Sequence, residues 1–119
     1  MTYEEITKKT NDIVLNGKYQ EGDIFHEMYH SWIYILKVSK DKVTTFESRS
    51  KLSDFVINTY TKKDLSSRFR YSTRSGCWLD YHKNDVNHMN DILDKYKKSV
   101  IISGDVEKIR DMNLNLILA

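Results

Sequence analysis

A histidine-bearing pentad near the N-terminus has the pattern of a zinc metalloprotease. Residues 26–30, His-Glu-Met-Tyr-His, match H-E-x-x-H, in which a helix places the two histidines on one face and the glutamate acts as general base. The next residues, Ser-Trp-Ile-Tyr-Ile-Leu, favour a strand, and an extended chain separates the two imidazoles by about 13 Å. His82 and His88, six residues apart, do not share a helix face, so they offer no ready third ligand. We therefore predict two histidines on a strand or hairpin rim, with no metal and no other cofactor. A zinc-dependent hydrolase is the least favoured function.

Positive charge is concentrated in the middle of the chain. Residues 49–83 carry eight Lys and Arg against three Asp, a net of +5, whereas residues 1–48 carry a net of −2 and residues 84–119 a net of −1. Arginines alternate with aromatic residues from Arg68 to Trp78. The candidate residues for binding a ligand or partner are Lys62, Lys63, Arg68, Arg70, Tyr71, Arg74 and Trp78.

Two kinds of partner suit these residues. Guanidinium groups bind phosphates bidentately and aromatic rings stack on bases, which suits a nucleic acid or a nucleotide. Arg, Tyr and Trp are also enriched at protein–protein hot spots, which suits a protein partner. On strands, Arg68, Arg70 and Arg74 would share one face while Phe69 and Tyr71 point into the core, so whether the aromatics join the arginines stays open. The stretch lacks the G-x-x-x-x-G-K-[ST] spacing of a phosphate loop.

The single cysteine offers little chemistry. Cys77 allows no intrachain disulfide and no multi-cysteine zinc site. As a nucleophile it would need His82 as its base, but residues five apart on a strand point to opposite faces. We predict a buried, inert thiol and no catalytic residues.

Helical periodicity identifies elements at both ends of the chain. Residues 2–16 form an amphipathic helix, capped by Thr2 with Glu5 completing a capping box and ended by Gly17. Residues 85–98, capped by Asn84, carry the apolar stripe Val86, Met89, Ile92, Leu93 and Tyr96. A short helix from Ser103 or Asp105 to about Met112 follows, and the tail at 113–118 suits a sheet edge or a dimer contact.

The residues between these helices favour strands. Residues 24–25, 32–38 and 43–46 indicate an antiparallel meander, with an SH3-like small barrel as one form of it, and residues 55–60 and 76–81 are further strands. Thr61 caps a short helix that runs through Arg68.

Length and composition restrict the class of protein. A chain of 119 residues with 39% hydrophobic and 30% charged residues suits one α+β domain spanning 1–119, with an N-terminal helix, an antiparallel sheet and a helical C-terminal third. No apolar run has the length of about 20 residues that spans a bilayer, and the acidic, amphipathic N-terminal residues lack the basic start and apolar stretch of a signal peptide, so we expect a cytoplasmic protein without membrane contact.

Size and composition favour a non-enzymatic binding protein. The absence of proline and the abundance of Lys, Asn, Ile and Tyr are typical of genes from AT-rich bacterial, phage or plasmid genomes. Small proteins of such origin often act by stoichiometric binding. We expect an inhibitor of a host defence system, of the anti-CRISPR or anti-restriction type, that binds through residues 62–83. A nucleic-acid- or nucleotide-binding module is the alternative, and a homodimer is compatible with either.

Overall fold

Three helices and five strands make up the described part of the chain. The computed structural model describes residues 2–27, 31–48, 55–74, 76 and 78–103. In chain order the elements are α1 (Tyr3–Asn16), β1 (Asp23–Glu27), β2 (Ser31–Val38), β3 (Lys42–Ser48), β4 (Phe55–Thr61), α2 (Lys62–Arg74), β5 (Leu79–Asn84) and α3 (Val86–Ser103). The predicted α+β class, the N-terminal helix and the antiparallel sheet are confirmed. The helix predicted to end near Met112 and the tail at 113–118 lie outside the described residues.

The five strands form one open antiparallel sheet in the order β4-β3-β2-β1-β5. Strands β1 to β3 are the predicted meander, β4 is the further strand predicted at 55–60, and β5 returns to pair with β1. Because β4 and β5 are the two edges and do not pair with each other, the sheet does not close into an SH3-like barrel. The helices on its two faces explain why: each face is buried by a separate apolar layer, so closure is not needed to bury them.

Helices α1 and α2 cover one face of the sheet. Buried residues of β1 and β2, Phe25, Ile33 and Ile35, contact Ile13 and Val14 of α1 and Leu65 and Phe69 of α2. Helix α3 covers the other face, where Met89, Leu93 and Tyr96 pack against a second set of sheet residues: Ile24, Tyr34, Leu36, Phe46 and Phe55. The helical periodicity seen in the sequence therefore corresponds to two cores, one on each side of the sheet.

Helix α1 has the predicted caps at both ends. Thr2 Oγ1 accepts a hydrogen bond from the Glu5 backbone N–H at 3.2 Å, and Gly17 ends the helix at φ 63°, a left-handed conformation that glycine adopts without strain. Thr10 Oγ1 accepts the Tyr81 backbone N–H at 2.7 Å. This bond satisfies a donor of the edge strand β5 and attaches the helix to the sheet.

The start of α3 differs from the prediction by one residue. Asn84 is the last residue of β5, and its Nδ2 donates to Asp23 Oδ1 at 3.0 Å. The cap is Asp85, whose Oδ1 accepts the His88 N–H at 2.9 Å. Asp85 also donates its own N–H to Gly22 O at 2.9 Å, and a Cβ on Gly22 would lie 2.5 Å from Val86 Cγ2. Only glycine allows this close approach of the turn to α3.

None of the described helices combines the length and the apolar character that crossing a bilayer requires.

Candidate functional site

Helix α2 carries six of the seven predicted binding residues. Thr61 begins the helix by accepting the Asp64 N–H on Oγ1 at 3.0 Å, as predicted, and Leu65 and Phe69 are both fully buried. The helix does not end at Arg68 but continues to Arg74. The strand interpretation of residues 68–74 is therefore wrong. The alternation of arginine and aromatic residues resembles a strand pattern, but a strand would place Phe69 and Tyr71 on the same face, whereas Phe69 is fully buried and Tyr71 is exposed.

The helical conformation separates the arginines that a strand would have grouped. Arg68 and Arg70 lie about 200° apart around the axis, so they project from nearly opposite sides. Arg70 and Arg74 lie within about 40° of each other and share a side with Lys63 and Ser67. All four of these residues are exposed. We call Lys63, Ser67, Arg70 and Arg74 the outer stripe.

Arg68 points toward the sheet, into a cluster of polar residues. Its Nη1 donates to Glu47 Oε1 and, at 2.8 Å, to Tyr60 OH, and its Nη2 lies 3.5 Å from Glu27 Oε1. Ser72 Oγ donates to Glu27 Oε2 at 3.3 Å. The guanidinium of Arg68 is thus engaged inside the protein. Of the predicted binding residues it has the least capacity left for a phosphate or a partner.

Glu47 is the centre of this cluster. Its Oε2 accepts hydrogen bonds from Thr45 Oγ1 at 2.7 Å, Asn58 Nδ2 at 2.9 Å and Tyr60 OH at 3.0 Å, in addition to the Arg68 contact on Oε1. Burial alone would raise the pKa of Glu47, but the hydrogen bond from Asn58 and the charge of Arg68 outweigh it, so the pKa is lowered. Burial and the charge of Glu47 raise the pKa of Tyr60. Glu47 is therefore held as a carboxylate that anchors α2 to the sheet. We call Glu27, Glu47, Asn58, Tyr60 and Arg68 the anchor cluster.

The remaining predicted binding residues lie around α2. Tyr71 is 73% exposed, beside the outer stripe on the solvent side of the helix. Lys62 is half-buried, with its stem beside Gly17 at the end of α1. Trp78 is 49% exposed and precedes β5 instead of lying on α2. The structure therefore brings Lys63, Arg70, Arg74 and Tyr71 onto one solvent-facing surface and turns Arg68, whose side chain is 31% exposed, toward the carboxylates of the sheet.

The described part of the pentad at 26–30 lies on a strand and not on a helix. His26 and Glu27 end β1, and Ser31 begins β2 directly opposite Glu27, so the predicted strand is confirmed for these two residues; residues 28–30 lie outside the described part of the chain. His26 stacks on Trp32 on the α3 side of the sheet, with ring centroids 4.4 Å apart, whereas Glu27 faces α2 and pairs with Arg68. In the described residues no group of three or more His, Cys, Asp or Glu is arranged to hold a metal ion.

His82, which the sequence does not favour as a base for Cys77, lies on the α3 side as well. His82 occupies a bulge in β5 between the residues that pair with Ile24 and Phe25, and its ring lies edge-on to Trp32 at 4.9 Å. Burial lowers the pKa of His82, and the charges of Lys83, His26 and His88 lower it further. Cys77 lies outside the described residues.

Sequence patterns did not identify the anchor cluster. Its members come from β1, β3, β4 and α2, and they lie close together only because these strands pair in one sheet beneath α2. One signal was available: Thr45 with Glu47 in β3 and Asn58 with Tyr60 in β4 are polar residues at alternate positions, so each pair faces one side of its strand. Polar residues repeated on one face of neighbouring strands indicate a polar contact with whatever covers that face.

Comparison of the chain with protein-family models, with curated proteins and with solved structures gives no match, so the functional argument depends on the chemistry of α2 and its surroundings.

Proposed function

We propose that this protein is a non-enzymatic binding module that engages an acidic surface of a protein partner through the outer stripe of α2. The observation that supports this most directly is the distribution of the cations of α2. Lys63, Arg70 and Arg74 are exposed on one side of the helix. Arg68 points toward the sheet and forms ion pairs with Glu27 and Glu47. A display of this kind offers charge-assisted hydrogen bonds to carboxylates without first breaking internal ion pairs.

The exposed aromatic residue beside the stripe favours a protein partner. Tyr71 leaves most of its ring accessible, and tyrosine next to arginine is the composition of protein–protein hot spots. A tyrosine ring provides apolar contact area with little loss of side-chain entropy, which exposed ion pairs alone do not provide.

The distribution of charge over the chain argues against a long polyanion as the partner. Residues 1–48 and 84–119 carry net charges of −2 and −1, which offset most of the +5 of residues 49–83 and leave a net charge of +2 for the chain. A net charge this small gives little long-range attraction for a nucleic acid, whereas a local acidic patch on a protein needs only the cations of the outer stripe. With Arg68 engaged internally, few cations remain to neutralise successive phosphates.

Charge reversal on the outer stripe tests the proposal. Fluorescence anisotropy at low salt would compare labelled acidic peptide, short duplex DNA and single-stranded RNA as probes for the wild type, for Arg70→Glu with Arg74→Glu, and for a control with Lys40→Glu in the exposed β2–β3 turn. We expect the peptide to bind the wild type and the Lys40 variant and to lose at least about tenfold in affinity for the double variant. Tighter binding of DNA or RNA than of peptide, with a log–log salt slope of about −0.7 to −0.9 per phosphate, would overturn the protein-partner proposal.

The narrower predictions remain open to experiment: a phage or plasmid origin, inhibition of a host defence system, a cytoplasmic location and a homodimer.

A further inference from the structure

We infer that the partner element bound by the outer stripe is an acidic α-helix lying along α2. This inference rests on the proposed function and specifies the shape of the partner. It follows from the spacing of the cations, from the residues that border them and from the way in which α2 is anchored.

The spacing of the cations matches a helix better than an extended chain. Relative to Lys63, Arg70 and Arg74 lie about 10.5 and 16.5 Å along the axis, within about 20° of the same azimuth. A helix presenting carboxylates at the same residue intervals repeats these rises, so every carboxylate lies opposite a cation. One face of an extended strand repeats about every 6.7 Å, so its second and third side chains fall about 3 to 4 Å out of step with the cations.

The residues around the cations allow a second helix to come close. Ser67 lies between Lys63 and Arg70 in the stripe, and its small side chain leaves room for a partner backbone at a normal interhelical distance of about 8 to 10 Å. Tyr71 and Asp64 border the stripe on one side and are both exposed. The ring of Tyr71 gives the partner an apolar contact, and Asp64 repels carboxylates that are displaced toward it. The stripe therefore selects the rotation of the partner as well as its charge.

The anchor cluster preserves the geometry that this recognition needs. Glu47 and Glu27 hold Arg68 from the sheet side, and Leu65 and Phe69 pack beneath the helix. Polar and apolar contacts together leave α2 little freedom to rotate about its axis. The outer stripe is thus presented in one orientation before any partner arrives, which lowers the entropy lost on binding.

Two helical peptides of identical composition provide the test. Each would have about five turns on an Ala/Gln background with four Glu residues, placed at i, i+4, i+7 and i+11 in the striped peptide and spread evenly around the helix in the control peptide. Circular dichroism would establish equal helicity. Affinities would be measured by fluorescence anisotropy at low salt for the full-length wild type, for Arg70→Ala and for Asp64→Asn. Denaturation curves of the variants would show that they fold.

We expect the striped peptide to bind the wild type at least about fivefold more tightly than the control peptide, as aligned exposed ion pairs would give. Arg70→Ala should remove most of this preference, and Asp64→Asn should bind the striped peptide about twofold more tightly because a repulsive charge is gone. Equal binding of the two peptides would overturn the helical inference and leave the acidic-partner proposal standing. Binding of neither peptide would overturn both.

Discussion

Replacing Glu47 by Gln is the most informative perturbation of the anchor cluster. The amide has almost the same shape as the carboxylate, so the substitution leaves no cavity and changes only charge and hydrogen bonding. In the wild type, four donors converge on Glu47, from Thr45, Asn58, Tyr60 and Arg68. Glutamine offers one acceptor oxygen in place of two and turns an NH₂ group toward some of these donors.

The cost can be estimated from the exposure of the groups left behind. Removing one partner of a buried ion pair costs about 3 to 5 kcal/mol, and leaving a buried donor unsatisfied costs about 1 to 3 kcal/mol. The Arg68 side chain is 31% exposed and keeps the Glu27 contact at 3.5 Å, so solvent recovers part of this loss. We therefore expect Glu47→Gln to lower the free energy of unfolding by about 2 to 3 kcal/mol.

Urea denaturation followed by circular dichroism measures this change. For a denaturant slope of about 2 kcal/mol/M, the midpoint should fall by about 1 to 1.5 M without a change of slope. Glu21→Gln, an exposed glutamate in the turn before β1, serves as control and should stay within about 0.5 kcal/mol of wild type. A double-mutant cycle with Arg68→Met should give a coupling energy above about 1 kcal/mol. If Glu47→Gln behaves like Glu21→Gln, the anchor cluster does not hold α2 on the sheet.

Three further measurements test the fold and its titrating groups. Leu93→Ala should cost about 2 to 4 kcal/mol in urea denaturation, because Leu93 is 8% exposed in the core under α3; a cost below about 0.5 kcal/mol would show that this face does not pack on the sheet. The folded-state pKa of Glu47 lies below its ordinary value of 4.5, so the stabilising contribution of the carboxylate is present above pH 4.5 and is lost as the pH falls through the folded pKa. The free energy of unfolding of the wild type should therefore decline more steeply in acid than that of Glu47→Gln. The pKa of His82 also lies below its ordinary value of 6.5 in the folded state, so the unfolded chain binds this proton more readily than the folded protein does. The stabilising contribution of His82 should be fully present above pH 6.5 and be lost as the pH falls from 6.5 through the folded pKa. Equal changes of the free energy of unfolding with pH for wild type and His82→Gln across this range would contradict a lowered pKa of His82.

The predictable parts of the fold were those that depend on neighbours in sequence. Helix α1 followed from the Thr2 cap, the Gly17 stop and the spacing of Ile13 and Val14, all within one segment. The core of α3 followed from Met89, Leu93 and Tyr96 at helical intervals. Strands β1 to β4 followed from β-branched and aromatic runs separated by turns. These signals are local, so one sequence suffices to detect them.

The parts that could not be predicted depend on contacts between distant segments. The second half of α2 was missed because Arg68, Phe69 and Arg70 alternate as they would on a strand. A strand would bury Phe69 and Tyr71 together, whereas in the structure Phe69 is buried and Tyr71 is exposed. The place of β5 beside β1 depends on a pairing across more than 50 residues. The contacts of Arg68 with Glu47 and Glu27 depend on the helical conformation of α2 and on the pairing of the strands. Neither can be read from one segment of the sequence, so the sequence suggested Arg68 as a partner-binding residue on the surface.

The central claim is that the outer stripe of α2 is the surface through which this protein binds. An NMR titration of the isotopically labelled protein with the striped acidic peptide tests it most directly, because every backbone amide reports separately on the contact. The account predicts that the largest shifts occur at Lys63, Ser67, Arg70 and Arg74, extend to Tyr71 and leave α3 unchanged. Shifts centred on the His26, Trp32 and His82 contacts of the opposite face, with α2 unaffected, would contradict it.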